Sequence, residues 1–366
     1  MRKLLVFFLL LYHVSSWSQN TGPTITQYIS ADYNYEIEKA TGLVEKLMHD
    51  KKIPGLSICV STSRKTLWIE GFGYADLENK KPVTITTMFR IGSLSKTFTA
   101  VGLMRLMEKD KIRLKDNVRK YVPDFPEKKY PITIGELASH TSGIRDYRKN
   151  EFISNVRYNS VRESLSIFKD DSLLFEPGTK YSYATYNYVL LSAAIENAAN
   201  KNFLQYMKDE VFIPLELKNT MPDYNDSMVT GRTKFYDEKD GNVVSGIVVD
   251  NSNKWGGGGF LSTPYDLVKM AKSLLNHDLL WKSSVKKMWT PYKLANGQSI
   301  KYGIGWIRDM DSLHRSFLYH GGSSIGGRSF LLVYPNNDLI IAVTCNISTS
   351  FDQAFVMQVA NVFIKQ

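Results

Sequence analysis

Apolar residues recur at helical spacing over residues 35 to 49, where Ile37, Val44, Leu47 and Met48 share one face, and Pro54-Gly55 marks the stop. The period then shortens. Ser57 to Ser61 and Thr66 to Phe72 are β-rich runs around Thr62-Ser63-Arg64-Lys65, which predicts a hairpin. A second, strongly apolar pair of runs lies far downstream, Ser329 to Tyr334 and Leu339 to Cys345, flanking Pro335-Asn336-Asn337-Asp338. Between the pairs the pattern is mostly helical, as in Phe98 to Met107, Tyr188 to Ala199 and Pro264 to Leu275, broken by Pro-containing and Gly-rich loops. The tail sets Phe355, Val359, Val362 and Phe363 on one helical face.

Two hairpins at opposite ends of a chain can each hide an apolar face only by joining one sheet that helices cover. The expected fold is therefore α/β: an antiparallel sheet built from both chain ends and flanked by helices, with a mostly helical inserted region. The sheet part would take residues 19–98 and 255–366 or so, and the helical part 99–254, in a chain whose 366 residues admit one domain or two. A cleft at the junction is a usual place for a ligand.

Residues 1 to 18 stand apart from this pattern. Arg2 and Lys3 precede an apolar run from Leu4 to Leu11, and the small residues Ser16 and Ser18 flank Trp17, as in an export signal cleaved after Ser18. The run is well short of the roughly 20 apolar residues that a spanning helix needs, and no later segment reaches that length. No cysteine follows it to carry a lipid anchor. An exported chain, periplasmic or secreted, is expected, with no transmembrane span after signal removal. Losing Arg2 and Lys3 takes the formal charge from +10 to +8. A basic surface suits anionic polymers such as cell-wall material or lipid head groups, and it is also what lysines spread over a solvated face look like. No Lys/Arg run interleaved with aromatics points to nucleic acid. Cys59 and Cys345, the two cysteines, each sit in an apolar strand-like run and read as buried free thiols, too few for a disulfide framework or a zinc site.

Four Ser-x-x-Lys tetrads begin at Ser93, Ser166, Ser283 and Ser284, so the bare pattern decides nothing. Context separates them. Ser283 and Ser284 lie in the charged segment Trp281-Lys282-Ser283-Ser284-Val285-Lys286-Lys287, which reads as solvated surface, and Ser166 is similar. Ser93 instead follows Phe89-Arg90-Ile91-Gly92 and precedes the apolar Phe98-Thr99-Ala100-Val101-Gly102-Leu103-Met104, as at the tight entry to a buried helix. On a helix, residues three apart share a face, so Lys96 can bring its amine to the Ser93 hydroxyl. A free hydroxyl barely ionises at neutral pH and needs such a base, and burial beside other cations can leave a lysine neutral enough to serve. The same residues taken alone also fit a first-turn or N-cap serine.

Other stretches then fall into order with Phe89-Arg90-Ile91-Gly92-Ser93-Leu94-Ser95-Lys96-Thr97-Phe98-Thr99. These are Ile132-Thr133-Ile134-Gly135-Glu136-Leu137-Ala138-Ser139-His140-Thr141-Ser142-Gly143-Ile144, Pro177-Gly178-Thr179-Lys180-Tyr181-Ser182-Tyr183 and Gly257-Gly258-Gly259-Phe260-Leu261-Ser262-Thr263. Tyr302-Gly303-Ile304-Gly305-Trp306 and His320-Gly321-Gly322, placed before a strand, complete the set. Together they resemble the serine β-lactamase and penicillin-binding-protein superfamily, which includes class C β-lactamases, D-alanyl-D-alanine carboxypeptidases and related esterases. The resemblance spans nearly the whole chain after residue 18. It implies a β-lactamase/transpeptidase-like fold, Ser93 as nucleophile, and Lys96 and Tyr183 sharing the role of general base, with Tyr183 then protonating the leaving group. It further implies an oxyanion hole from the backbone N–H groups of Ser93 and Ser323, with Gly322, His320 and Thr185 lining the substrate site. A phenol normally titrates near 10, so its use as a base calls for cationic neighbours such as Lys96.

Two departures from the family pattern matter. Tyr183-Ala184-Thr185 stands where many relatives have Tyr-x-Asn, so a short hydroxyl replaces the amide that would hold a substrate carbonyl. His320 stands where β-lactamases place a lysine, and a histidine partly charged near pH 7 would offer a weaker, pH-dependent grip on a carboxylate. His140 reads as structural, tying a helix end to a turn. Gly256 to Gly259 lacks the Gly-Lys-Ser/Thr of a phosphate loop and reads as a close backbone approach, and no metal-ligand spacing calls for a metal or other cofactor. The expected function is amide or ester hydrolysis of a small-molecule or peptide substrate, with cell-wall material one source. The alternative is a non-turnover cell-wall or peptide-binding protein of the penicillin-binding type.

Overall fold

A computed structural model describes residues 25–225, 229–348 and 351–364, so the leader read in residues 1 to 18 lies outside the described residues. Seven strands run β1 (Ile25–Ile29), β2 (Gly55–Ser61), β3 (Thr66–Asp76), β4 (Ile307–Met310), β5 (Ser316–Ser324), β6 (Gly327–Tyr334) and β7 (Leu339–Cys345). They pair antiparallel in the order β1-β3-β2-β7-β6-β5-β4, and the two-residue strand Lys81–Pro82 adds to β3. The two expected hairpins, β2-β3 and β6-β7, meet where β7 lies against β2, with Val343 opposite Ile58 and Ile341 opposite Val60. The hairpins from the two chain ends thus join side by side in one open sheet.

β2 and β7 are buried along their whole length, because helices cover both faces of the sheet. Ile58, Val60, Ile341 and Val343 point into a core with helix α1 (Asn34–Asp50) and the C-terminal helix Gln353–Phe363. The alternate residues Cys59, Ile340 and Ala342 point into a second, larger core. Period-two alternation therefore divides one sheet between two cores. Cys59 and Cys345 belong to opposite cores, which keeps them as separate buried thiols.

The larger core is filled by three helices, α2 (Ser95–Glu108), α3 (Thr185–Ala199) and Pro264–Asn276. α2 and the first three turns of α3 are buried on nearly every face, polar residues such as Ser95, Lys96 and Asn187 included. The third helix starts where Thr263 caps the Asp266 N–H at 3.1 Å and Pro264 takes the first helical position. A small sheet of Phe89–Arg90, Phe260–Ser262 and Met221–Pro222 ties the lead-in to Ser93 to the end of the glycine run. His320-Gly321-Gly322, expected ahead of a strand, lies inside β5. The glycines are tolerated there because the strand must press against the nucleophile turn: a Cβ on Gly322 would come within 1.9 Å of the Ile91 carbonyl oxygen. Among the described residues no helix is long and apolar enough to cross a membrane.

Ile341 is fully buried at the seam where the two chain ends join. Ile341→Ala is expected to cost about 2–5 kcal/mol in urea-induced unfolding, against about 0.5 kcal/mol or less for the exposed Val248→Ala. Equal effects of the two changes would contradict this placement of the core.

Candidate active site

The nucleophile turn is a single 3-10 turn, Gly92–Leu94, that runs directly into α2. Gly92 is the residue this turn requires. Its φ of +50° is in the left-handed region, and a Cβ there would lie 2.4 Å from the Ser323 carbonyl oxygen and 2.7 Å from the Ser323 nitrogen. Strand β5 and the turn are therefore in backbone contact, with the Ser323 amide beside Gly92, the residue before Ser93. The Ser93 side chain caps no helix end, and it is partly open to solvent.

Lys96 lies one helical turn on, fully buried. Its Nζ donates to Ser93 Oγ at 3.0 Å, to the Gly257 carbonyl at 2.6 Å and to Thr185 Oγ1 at 3.4 Å. Gly257 sits in the short helix α4 (Trp255–Gly258), which packs against both α2 and α3. A Cβ at Gly257 would come within 2.6 Å of Thr185 Cγ2, so the glycine run serves close approach, as its sequence suggested. Burial pushes the Lys96 amine down to about 7; Asp146 pulls it up and Lys254 pushes it further down. A neutral amine has two N–H groups and one lone pair. With one N–H on Gly257 and the other turned to Thr185, the lone pair is left for the Ser93 proton.

Tyr183 stands beside them on the chain leading into α3. Lys96 Nζ lies 4.9 Å from the centre of its ring, and the Ser93 side chain is near enough to favour its ionised form in part. The depressed phenol expected of a base is not what the site provides. Burial pushes Tyr183 well above its ordinary value, and Ser93 offsets this only in part. Tyr183 is therefore a protonated phenol at rest.

His320 also differs from expectation. Its ring is buried, Nδ1–H donates to the Gly321 carbonyl at 2.6 Å, and Nε2 accepts from the Tyr302 hydroxyl at 2.9 Å. Burial, and then the Lys96 charge, push it down to about 3, so it is neutral near pH 7 and offers no cation to a carboxylate. Arg328 is paired across the strands with Ser323 and is partly buried. His140 is buried and neutral for similar reasons. Its Nδ1 accepts the Ala184 N–H at 3.3 Å, and its ring packs on Tyr183 at 4.3 Å between centroids. It thus fixes the residue after Tyr183 as well as the phenol itself.

The structure brings Ser93, Lys96, Tyr183 and Thr185 together, with Ser323 and Gly322 alongside on β5 and His320 behind. The other tetrads fall away: Ser166 and Ser283 are exposed, and Ser284 is buried in a helix whose Lys287 faces outward. A separate cleft of about 820 Å³, lined by Lys208, Phe212, Leu217 and Trp255 among others, includes none of the candidate residues.

Three residues escaped the sequence reading. Asp146 accepts the Thr185 N–H at 2.8 Å and attracts the Lys96 charge, and its loop is pinned by Arg145, which reaches Glu151 and Asp171 at 2.6 Å each. Arg90 holds Asp223 at 2.6 Å in a buried ion pair behind the nucleophile turn. Lys254 is buried just ahead of the glycine run. The signals were present in Gly143-Ile144-Arg145-Asp146, Phe89-Arg90 and Asn253-Lys254-Trp255, as charged residues inside otherwise apolar or tight segments.

These features define the fold and site of the penicillin-binding and β-lactamase superfamily, and the Beta-lactamase family model matches residues 40–360, so the chain belongs to that family. Among its relatives is the human mitochondrial serine beta-lactamase-like protein LACTB, 30% identical over 90% of this chain and 80% of that protein. Penicillin-binding protein 4* of Bacillus subtilis is 27% identical over 82% of this chain and 70% of its own length. The solved structure of EstCE1, described as a hydrolase with promiscuous acyltransferase activity, superposes with a TM-score of 0.80 at 20% identity, covering 92% of this chain and 100% of that one.

Burial of Lys96 links stability to pH. Its folded value near 7 is below the ordinary 10.5, so its contribution is present above pH 10.5 and is lost as pH falls to about 7. Unfolding free energy is therefore expected to be higher at about pH 9 than at about pH 7, and Lys96→Met to be stabilised at the lower pH with a flatter dependence. Urea titrations at the two pH values check this, and an unaltered slope in the variant would mean that the amine stays hydrated in the folded protein.

Proposed function

We propose that this protein is a serine hydrolase that opens amide or ester bonds through an acyl-enzyme on Ser93, with Lys96 as general base and Tyr183 as general acid. The observation that carries the reading is the Lys96 amine, buried and held near neutrality, 3.0 Å from a partly open Ser93 hydroxyl. Ser93 Oγ attacks the acyl carbon while its proton passes to the Lys96 lone pair. The carbonyl oxygen gains negative charge against the N–H groups of Ser93 and Ser323, where one preorganised donor is worth about 3–4 kcal/mol. As the tetrahedral adduct collapses, the bond to the leaving group breaks and Tyr183 gives that group its proton. The phenolate regains a proton from the Lys96 ammonium. Water then attacks the ester on Ser93 by the same route in reverse, releasing the acid and restoring the serine.

Two features favour peptide and simple ester substrates over β-lactams. Thr185 offers a hydroxyl turned toward Lys96 where an amide would reach a substrate carbonyl. The neutral His320 supplies no charge for the carboxylate that β-lactam antibiotics carry. The relatives bear names from both the penicillin-binding and the hydrolase side of the superfamily, which suits acyl transfer to water as the shared chemistry.

A fluorophosphonate is expected to add once, on Ser93, by intact-mass and peptide mapping. Ser93→Ala and Lys96→Ala should each lower turnover by roughly a thousandfold or more. Across a p-nitrophenyl ester, a D-Ala-D-Ala peptide and nitrocefin, nitrocefin should turn over slowest. A folded protein with no adduct on Ser93 overturns the proposal, and a stoichiometric adduct without turnover of any substrate favours a non-turnover binding protein.

A further inference from the structure

Lys254 takes no part in the steps above, yet it is 3% exposed and its side chain turns into the protein. Its Nζ donates to the Phe152 carbonyl at 3.0 Å and lies 5.0 Å and 5.5 Å from the ring centres of Phe152 and Tyr147. An ideal Cβ on Gly258 would be 3.7 Å from Lys254 Cδ and 3.7 Å from the carbonyl carbon of Gly92. One glycine thus separates the lysine stem from the turn that carries Ser93. The next residue but two, Gly257, supplies the carbonyl that holds Lys96.

The charges facing Lys254 come from four places: Arg90 on Phe89–Arg90, Asp223 after Met221–Pro222, Asp250 at the cap of Asn251–Lys254, and Asp146. None closes an ion pair with it. Asp223 is held by Arg90 at 2.6 Å, Asn251 at 2.7 Å and Arg232 at 3.4 Å, while Asp250 takes the Ser252 N–H at 2.8 Å and faces Arg157 at 3.8 Å. Around Lys96 the charged groups are Asp146 and Lys254. The remaining titratable neighbours are the rings of Tyr183 and Tyr188 and the neutral His140 and His320. Asp146 favours a proton on Lys96, and Lys254 opposes it.

We infer that Lys254 is a positioning residue for the Ser93 reaction, a buried amine behind the nucleophile turn whose proton disfavours one on Lys96 and so keeps the Lys96 amine in its proton-accepting form. This rests on the acyl-enzyme reading of Ser93. Burial brings both lysines to about 7, so on the acid side Lys254 carries a proton, and that charge raises the cost of a proton on Lys96. Carboxylates already committed to other partners leave the Lys254 charge free to act on Lys96 instead of being cancelled in place.

The test is the rate of Ser93 modification by a fluorophosphonate between about pH 5 and about pH 9.5 in the full chain, for the wild type, Lys254→Met and Lys254→Arg. Removing the cation lifts the midpoint of the acid limb by about one pH unit, which slows modification about tenfold at about pH 6 and leaves the alkaline plateau in place. Lys254→Arg keeps the charge and keeps the midpoint at or below that of the wild type. An unmoved midpoint in Lys254→Met, or an equal loss at every pH, overturns the inference while leaving the Ser93 reading intact. Absence of any adduct on the wild type sinks that reading and this one with it. Should the Lys254 variants fail to fold, lysine side-chain NMR titration of folded Ser93→Ala decides: a two-step curve for Lys96 supports the pair, and a single independent step overturns it.

Discussion

A primary amine kept from water governs the rest of this active site. Hydration is what normally holds a lysine protonated through neutral pH, and taking it away costs several kcal/mol for the charged form. Lys96 recovers part of that loss from one backbone carbonyl, Gly257, and from two hydroxyls, Ser93 and Thr185. Each of those partners imposes its own requirement on the fold. The carbonyl needs α4 pressed between α2 and α3, which only residues without a Cβ permit at Gly256 and Gly257. The serine needs a turn tight enough to present its hydroxyl back along α2, and Gly92 provides it. Segments far apart in sequence thus converge because one nitrogen must be surrounded.

The environment around that nitrogen is neither apolar nor charge-neutral. Aromatic rings from Tyr183 and Tyr188 face it, with His140 and Tyr302 behind them, so the walls are polarisable but give little hydration. The two buried histidines are neutral because burial strips their charged form of hydration and the Lys96 charge opposes it further, and they contribute hydrogen bonds instead of charge. Asp146 supplies negative charge beside Lys96, and Arg145 anchors its loop through two carboxylates and the Ile167 carbonyl. Removing water in this way strengthens every remaining electrostatic contact, whether it helps or opposes protonation.

Much of this arrangement was legible from the chain alone, for identifiable reasons. The β-rich, apolar runs at residues 57–61 and 339–345 belonged to hairpins at opposite ends of the chain, which required that they meet in one sheet covered by helices. The spacing of Ser93 and Lys96 carried their contact, because one helical turn fixes it whatever the tertiary structure. What failed depended on burial depth, which no local pattern encodes. His320 reads as a titrating residue from its type, yet Tyr302, eighteen positions earlier, and its own neighbour's carbonyl occupy both ring nitrogens. The Tyr183 phenol reads as a base beside a lysine, yet desolvation outweighs the influence of Ser93 that would lower it. Asp146 and Lys254 were invisible as partners because they reach Lys96 from 50 and 158 residues further along the chain. β1 escaped because Ile25–Ile29 is a short edge strand defined by its pairing with β3.

The same desolvation acts in opposite senses on the two proton carriers, and this divides their labour. It lowers an amine toward neutrality and raises a phenol away from it, so a single dry pocket makes Lys96 a better acceptor and Tyr183 a better keeper of its proton. Groups whose environments drive their titration apart can serve as acid and base together at one pH. A Lys96 exposed to solvent would remain an ammonium with no lone pair. Burial therefore sets an amine held near neutrality beside a protonated phenol in one pocket near pH 7.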